Sequence, residues 1–123
     1  MRNSLKGAVV FDDVSSVTLR TALDGLALRQ RVIADNISNI ETPGYLAKKV
    51  KFEEALGAAV SAGGSPADVT PTVARSLEPT RLNGNNVNLD EETLSNVDTG
   101  LRYQLALRAM DDKFGLVRDV IKG

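Results

Sequence analysis

Two long segments of this 123-residue chain repeat apolar residues at alternating intervals of four and three. That spacing places side chains on one face of an α-helix and is typical of helices that pack against another helix. The first segment predicts a helix over residues 15–41, capped by Ser15 or Ser16. Gln30 is the one polar residue in its seam, whose apolar members are Leu19, Leu23, Leu26, Ile33, Ile37 and Ile40.

The second segment predicts a helix over residues 90–121, with Asp90 as its N-cap and acidic residues in its first turn. Its main seam comprises Tyr103, Leu107, Met110, Phe114, Val117 and Ile121. A separate stripe lies in another register and comprises Leu94, Val97, Leu101 and Leu105. This helix is therefore expected to present apolar surface in more than one direction.

The middle of the chain lacks helical periodicity. Pro43 ends the first helix, and Pro43-Gly44 suits the central positions of a type II turn, in which the glycine takes a positive φ. Residues 42–60 are expected to form this turn and an extended segment, with a turn or two of helix at 53–60. Residues 61–88 hold three of the four prolines and are expected to form a loop or linker, ordered only on assembly or lying as a surface arm.

These elements predict a mainly α protein, in which two terminal helices form a coiled-coil hairpin around a short extended and loop region. Residues 1–14 are expected to be a flexible arm, and residues 15–123 a single rod-type domain. Two helices alone cannot cover two displaced stripes, so residues such as Leu28, Val32, Leu94 and Val97 are expected to remain in water. Association with other copies or related subunits would cover them, and a four-helix monomer with the middle folded back is the alternative.

Composition excludes much of the chemistry that enzymes use. The chain has no cysteine and no histidine, which removes thiolate and imidazole metal ligands and the commonest general base. Its acidic pairs, Glu91-Glu92 and Asp111-Asp112, are adjacent in sequence and point in different directions on a helix. The net charge is −1, and the basic run "KKVK", residues 48–51, has Glu53 and Glu54 close behind it, so it is interpreted as a solvated face and not as a nucleic-acid footprint. We therefore expect no enzymatic activity, no cofactor, no metal, no nucleic acid and no small-molecule substrate.

Asn36 and Asn39 are unusual near the end of a long helix, because asparagine side chains compete for backbone hydrogen bonds. The hypothesis is that they bond backbone groups of the turn or of a neighbouring subunit and so set how the chain leaves the coiled coil. The alternative is that both are merely solvated. Tyr45 is expected to pack its ring with the hydroxyl in water.

The stretch "ADNISNIETPGY", residues 34–45, resembles the signature of the flagellar rod and hook axial proteins. That signature typically reads Ala-Asn-Asn-Ile-Ala-Asn, then about two variable positions, then Thr-Pro-Gly-Tyr. Asp35 and Ser38 depart from it, as small changes. The stretches "VKFEEAL", "NGNNVNLDEE" and "LRYQLALRAM" narrow the resemblance to the proximal rod proteins of that family. The matching positions are Ala34, Asn36, Ile37, Asn39, Thr42, Pro43, Gly44 and Tyr45.

The resemblance implies a structural subunit of the bacterial flagellar basal-body rod, which crosses the periplasm and transmits motor torque. It implies polymerisation through the terminal helices, and partners among the other rod proteins and the adaptor that joins the rod to the membrane ring. It also implies export from the cytoplasm by the flagellar type III apparatus without a cleaved signal peptide. The alternative function is a soluble helical adaptor or export chaperone that binds one partner helix.

Overall fold

The computed structural model describes residues 13–122, apart from the side chains of residues 116, 117 and 120–122. Helix α1 spans Val14–Ser38, strand β1 Lys48–Lys51 and helix α2 Glu53–Ser61. A short 3-10 turn at Pro66–Asp68 and strand β2 at Thr72–Arg75 precede helix α3, which spans Leu89–Lys122. The expected mainly α fold is confirmed, with a small sheet and loops between the terminal helices. All but two residues of the predicted N-terminal arm lie outside the described residues.

The two long helices run antiparallel along each other. At one end, Lys113 Nζ of α3 lies 2.6 Å from Asp13 Oδ2 at the start of α1. At the other end, Asn36 Nδ2 of α1 donates to Glu92 Oε1 of α3 over 3.1 Å. The 34 residues of α3 extend about 51 Å at the α-helical rise, so α3 is longer than its 25-residue partner.

The cap of α1 lies upstream of the predicted serines. Asp13, in extended conformation, accepts a hydrogen bond from the Ser16 backbone N–H through Oδ1 at 2.9 Å. Because a carboxylate at this position also meets the positive end of the helix dipole, Asp13 is a stronger cap than either serine. Helix α1 ends at Ser38, earlier than predicted, where Asn39 takes a non-helical conformation and donates its backbone N–H to the Asp35 and Asn36 carbonyls.

The prediction that Asp90 caps the second helix is wrong. Helix α3 begins at Leu89, and the Asn88 side chain accepts from the Glu91 backbone N–H at 3.2 Å. The Asn88 carbonyl also accepts from the Glu92 N–H at 2.9 Å. Asparagine is as good an N-cap as aspartate, so the local sequence allowed either residue.

The segment 61–88 is not an open linker. Its strand β2 pairs antiparallel with β1, in the register Lys48 opposite Arg75 and Lys51 opposite Thr72. The 3-10 turn docks on α1, where Thr21 Oγ1 donates to the Pro66 carbonyl over 3.2 Å. Pairing with β1, which ends 21 residues before β2 begins, orders this segment, and no local sequence pattern predicts that pairing.

The core lies where β1 and α2 cover the middle of α1. Its buried members are Leu26, Val32, Val50, Phe52 and Leu56. Leu28 packs against this cluster and Val32 is buried in it, so the expectation that both remain in water is wrong. The expectation holds for the other two residues, since Leu94 and Val97 of α3 are 72% and 57% exposed.

Gly25 has a specific packing role inside α1. The Phe52 ring lies so close that a Cβ on Gly25 would sit 2.6 Å from the nearest ring carbon. A glycine costs a helix about 1 kcal/mol relative to alanine. Here the absence of a side chain lets the core's aromatic ring rest directly on the helix backbone.

Arg29 ties three elements together beside this ring. Its guanidinium donates to both carboxylate oxygens of Glu53, at 2.6 and 2.7 Å, and to the Val50 carbonyl at 2.7 Å. The Arg29 Cζ atom also lies 5.1 Å from the Phe52 ring centroid, within cation–π range. The bidentate geometry lowers the pKa of Glu53, chiefly through the hydrogen bonds from Arg29.

Candidate functional site

Asn36 is fully buried between α1, β1 and α3, and every polar position of its side chain is occupied. Nδ2 donates to the Lys48 carbonyl at 2.9 Å and to Glu92 Oε1 at 3.1 Å. Oδ1 accepts from the Lys48 backbone N–H at 2.9 Å and from the Tyr45 hydroxyl at 3.2 Å. An amide side chain has two donors and two acceptor sites. Asn36 therefore uses its whole capacity to join the strand, the turn and the second helix.

Glu92 brings a carboxylate into this buried network, with only 5% of the residue exposed. Burial raises the pKa of Glu92, while the hydrogen bond from Asn36 and the charge of Lys49 oppose that rise. The pKa of the Tyr45 hydroxyl is also raised, first by burial and then by the negative charges of Asp35 and Glu92. The expectation that this hydroxyl lies in water is wrong, because the hydroxyl donates to Asn36.

The turn at Thr42-Pro43-Gly44-Tyr45 has the predicted geometry. The Tyr45 N–H donates to the Thr42 carbonyl at 3.2 Å, and Gly44 has φ +74°. Pro43 supplies the fixed φ that a type II turn needs before such a glycine. Gly84, also at positive φ, approaches from the opposite loop, and a Cβ on it would lie 3.2 Å from Gly44 Cα.

Asn39 acts within the turn. Its Nδ2 donates to the Asp35 carbonyl at 2.8 Å, and its Oδ1 accepts from the Thr42 hydroxyl at 3.0 Å. These bonds are local in sequence and exposed. The two asparagines therefore have different roles: Asn36 connects segments that are distant in sequence, whereas Asn39 stabilises the turn itself.

Two further asparagines, Asn85 and Asn86, lie at the same end of the molecule and form hydrogen bonds with backbone groups there. Nδ2 of the buried Asn85 donates to the Asn39 and Thr42 carbonyls at 2.8 and 2.9 Å. Oδ1 of Asn86 accepts from the Ala47 N–H at 2.7 Å, and its Nδ2 donates to the Ser76 and Glu78 carbonyls, each at 3.1 Å.

From the sequence, these two asparagines are predicted only to lie in the loop or linker of residues 61–88. The signal that could have found them is the density of asparagines around Val87, a residue that is itself almost completely buried. We name the set of residues that closes this end of the molecule the asparagine corner: Asn36, Asn39, residues 42–45, Asn85, Asn86 and Glu92.

Arg81 fastens the same loop to the end of α1. Its guanidinium donates to the Val87 carbonyl at 2.7 Å and to the Ile40 carbonyl at 2.6 Å. A charged donor on carbonyls near a helix C-terminus is favourable both as a hydrogen bond and with the helix dipole. The loop 76–88 is thus held to the outgoing chain of α1 by side-chain amides and one guanidinium.

The predicted seams divide into covered and exposed residues. Leu26 and Ile33 of α1 and Met110 of α3 are buried. Half-buried members are Leu19, Leu23, Ile37, Ile40 and Tyr103, and exposed ones are Leu107 and Phe114. Val117 and Ile121 lie outside the described side chains. Ala34 and Pro43 of the motif are exposed, so not every motif position is used within the monomer.

A different face of α3 is left uncovered. Side chains that face α1 or the core include Glu92, Thr99 and Met110. At about 100° per residue, the second stripe lies roughly opposite this buried face. Its members, which we name the outer stripe, are Leu94 (72% exposed), Val97 (57%), Leu101 (58%) and Leu105 (67%).

The arrangement offers binding surfaces more readily than reaction chemistry. Among the described residues, no cluster of three or more acidic side chains could hold a metal ion. No helix in residues 13–122 is long and apolar enough to cross a membrane. Glu92, the acidic group with the most unusual surroundings, is enclosed by the corner and directed at an amide.

Comparison with known proteins identifies a family whose profile includes the motif of residues 34–45. The profile of a family described as "Flagella basal body rod protein" matches residues 18–45, which include the whole motif of residues 34–45. A flagellar basal body rod protein FlgB of Bacillus subtilis is 32% identical over 117 residues, covering 85% of this chain and 91% of the relative.

The chain belongs to the FlgB family. The FlgB of Borreliella burgdorferi is 31% identical over 121 residues, and that of Escherichia coli 29% over 124 residues. These alignments cover 81% and 82% of this chain, and 90% and 88% of the relatives.

Membership of the FlgB family confirms the resemblance drawn from the motifs and makes the chain a component of the flagellar basal body rod. The family is a structural one and is not known as an enzyme family. The signature residues Asn36, Asn39 and 42–45 belong to the asparagine corner, whereas the outer stripe lies outside the matched residues 18–45.

Proposed function

We propose that this chain is a structural subunit that polymerises through its terminal helices to form the proximal part of the rod, the drive shaft that transmits motor torque. The single observation that carries the proposal is the outer stripe of α3. Four large apolar side chains, each more than half exposed, lie in line on the face that points away from α1. A stripe of that kind is typical of a surface that another helix covers.

Covering the stripe would supply a substantial part of the free energy of assembly. Complete burial of one Leu or Val side chain stabilises by about 1.5–3 kcal/mol. With four side chains more than half exposed, the stripe could contribute roughly 4–7 kcal/mol per subunit when it is covered. The ordering of the partners offsets part of this, so a rod would need additional contacts between subunits.

The asparagine corner supports the proposed mechanical role. A subunit that transmits torque must not change the angle between its helices and its middle region under load. Asn36 links α1 to β1 and α3, and Asn85 links the loop to the end of α1. Such buried and satisfied polar networks favour one arrangement over others, because any slip leaves polar groups unpaired.

Several further features follow from the proposed function. The subunit would lie in the periplasm-spanning rod, with other rod proteins and the adaptor to the membrane ring as neighbours. It would leave the cytoplasm through the flagellar type III export apparatus without a cleaved signal peptide. The family membership supports these features, and each is open to a separate test.

The proposed function is tested by placing a charge in the outer stripe. Leu101→Glu should keep the monomer folded, because the side chain is 58% exposed, and should abolish concentration-dependent association. Asn96→Glu adds the same carboxylate to an exposed position of α3 about 100° or more around the helix from every member of the stripe, and is the matched control. Analytical ultracentrifugation over a hundredfold range of concentration, alone and with a second rod protein, measures the association.

The outcomes separate the candidate functions. Open-ended growth in the parent chain and in Asn96→Glu, with its loss in Leu101→Glu, supports a rod subunit. A parent chain that instead forms a saturating one-to-one complex with an unassembled partner would be the helical adaptor or export chaperone. Association unchanged by Leu101→Glu would remove the outer stripe from the mechanism.

A further inference from the structure

The two-stranded sheet has one covered edge and one open edge. Ser76 lies opposite Ala47 and donates its N–H to the Ala47 carbonyl at 2.7 Å, so the backbone groups of this pair point between the two strands. In an antiparallel ladder every second pair directs its backbone groups outward. Lys48 and Val50 therefore face outward on β1, and Arg75 and Val73 face outward on β2.

The outward groups of β1 are already bonded to α1. Asn36 bonds both the N–H and the carbonyl of Lys48, and Arg29 donates to the carbonyl of Val50. These contacts agree with the assigned alternation. Helix α1 thus closes the β1 edge with side chains.

The outward groups of β2 have no such cover. Within the described part of the chain, no hydrogen bond reaches the outward N–H or carbonyl of Val73 or Arg75. All four residues of β2 are exposed, and the Val73 side chain is 47% exposed. An unpaired strand edge is a template for another extended chain, and β-strand addition is a recurring mode of protein recognition.

The charge around the open edge limits what can bind. Lys48, Lys49 and Lys51 of β1 and Arg75 of β2 are all exposed. Among the described residues, Lys49 alone of these four forms an ion pair, 3.9 Å from Glu91. A second β2 strand would bring a second set of these cations against the first. The occupant should therefore be an extended segment with apolar, β-branched residues and with negative charge.

The segment that leads into α1 has that composition; residues 7–12 of it lie outside the described residues, and Asp13 is the cap of α1. The sequence "GAVVFDD", residues 7–13, combines two valines and a phenylalanine with two aspartates. Asp13 lies at the start of α1, whereas β1 lies beside the part of α1 between Gly25 and Asn36, and β2 pairs with the far side of β1. That separation is about 18 Å or more along the helix axis.

The segment cannot reach the β2 edge of its own molecule. Val9 is four residues from Asp13, and four extended residues span at most about 14 Å. A neighbouring copy removes this restriction, and head-to-tail exchange of one segment from each copy to the next gives a contact that does not close on itself.

We propose that the outward edge of β2, at Val73 and Arg75, binds residues 8–11 of a second copy as an added strand. The proposal rests on the proposed function for the presence of neighbouring copies, and it concerns a surface separate from the outer stripe. Each copy would offer one open edge and one segment, so the contact could repeat along an assembly.

The direct test uses the full chain and a fluorescent peptide with the sequence of residues 7–13, with blocked termini. Val73→Pro removes the outward N–H without removing an N–H from the β1–β2 ladder, since Val73 faces away from β1. It should weaken peptide binding at least tenfold. Val73→Thr keeps the N–H and the branched side chain and should bind within twofold of the parent chain. A scrambled peptide should bind at least tenfold more weakly.

Amide hydrogen exchange on the unmodified chain provides a test that does not depend on how a proline variant folds. Saturating peptide should slow exchange at Val73 and Arg75 at least tenfold and leave Ala74, which faces β1, unchanged. Equal exchange with and without peptide would overturn the proposal. So would peptide binding that Val73→Pro does not weaken.

Two variants separate this inference from the proposed function. Leu101→Glu should bind the peptide normally, whatever it does to assembly. In the full chain, Val9→Pro with Val10→Pro should reduce assembly to the same extent as Val73→Pro, and combining all three should add nothing. If Val73→Pro reduces assembly and the double proline variant does not, another segment occupies the edge and the assignment is wrong.

Discussion

Removing the Asn36 side chain should destabilise the monomer far more than removing the side chain of Asn39. Asn36→Ala deprives the Lys48 N–H and carbonyl, the Tyr45 hydroxyl and the Glu92 carboxylate of their shared partner. Each buried polar group left without a partner costs about 1–3 kcal/mol, and partly buried groups cost less because water reaches them.

The magnitude follows from the burial of these contacts. Only the bond to Glu92 is buried at both ends, while the other three are partly buried. Alanine restores about 0.5 kcal/mol of helix propensity. We expect a net loss of roughly 2–5 kcal/mol in the free energy of unfolding, measured by urea denaturation with circular dichroism at a concentration where the chain is monomeric.

Asn39→Ala is the matched control. Its side-chain bonds are local and exposed, so the expected loss is at most about 1 kcal/mol. Asn36→Asp is the sharper variant, because an isosteric carboxylate would face Glu92 and lose both amide donors. Its destabilisation should therefore be greater at pH 7 than near pH 4. A loss below about 1 kcal/mol for Asn36→Ala, or equal losses at both asparagines, would refute the network account.

Three further predictions concern the turn, the core and the buried carboxylate. Gly44→Val should lose about 1–3 kcal/mol of unfolding free energy because a β-branched residue is strained at φ +74°, as urea denaturation would measure. Gly25→Ala should lose up to about 2 kcal/mol despite better helix propensity, because its Cβ would meet the Phe52 ring at 2.6 Å, and Phe52→Leu should suppress that loss in a double-mutant cycle. Glu92→Gln should be more stable than the parent chain at pH 7 because glutamine keeps an acceptor for Asn36 without a buried charge, as denaturation across pH would measure.

The sign of the last prediction follows from linkage. Burial raises the pKa of Glu92 in the folded state above its ordinary value of 4.5, so the folded state binds the proton more tightly than the unfolded state. The contribution of Glu92 to stability is therefore fully present below pH 4.5 and is lost as the pH rises through the folded pKa. The advantage of Glu92→Gln should shrink as the pH falls.

Each of these predictions has a contradicting result. A stability difference for Glu92→Gln that is constant with pH would mean that Glu92 titrates normally. Normal stability of Gly44→Val would deny the type II turn at that position. A Gly25→Ala variant that is more stable than the parent chain would show that the Phe52 ring can move away at no cost.

The long helices could be predicted from sequence because their signal is local and periodic. Seam residues such as Leu26 and Ile33 lie where the spacing places them, and the turn at Pro43 and Gly44 follows from the backbone restrictions of those two residue types. Helix ends were less predictable, since Asp13 and Asn88 compete with neighbours of similar capping strength.

The rest depends on partners distant in sequence. Strand β2 shows little alternation of its own, and its position follows from pairing with β1. The burial of Asn85 depends on carbonyls more than forty residues away, which no local pattern reveals. Gly25 would be destabilising in the helix considered alone, and the Phe52 ring packed on it explains its presence.

The covering of the outer stripe is the claim on which the functional account depends. Electron cryomicroscopy of basal bodies assembled with this chain, at a resolution that shows side chains, tests it most directly. The account predicts that Leu94, Val97, Leu101 and Leu105 lie against a helix of an adjoining rod subunit while the asparagine corner keeps its monomer geometry. A rod in which these four side chains face solvent or an open channel would contradict it.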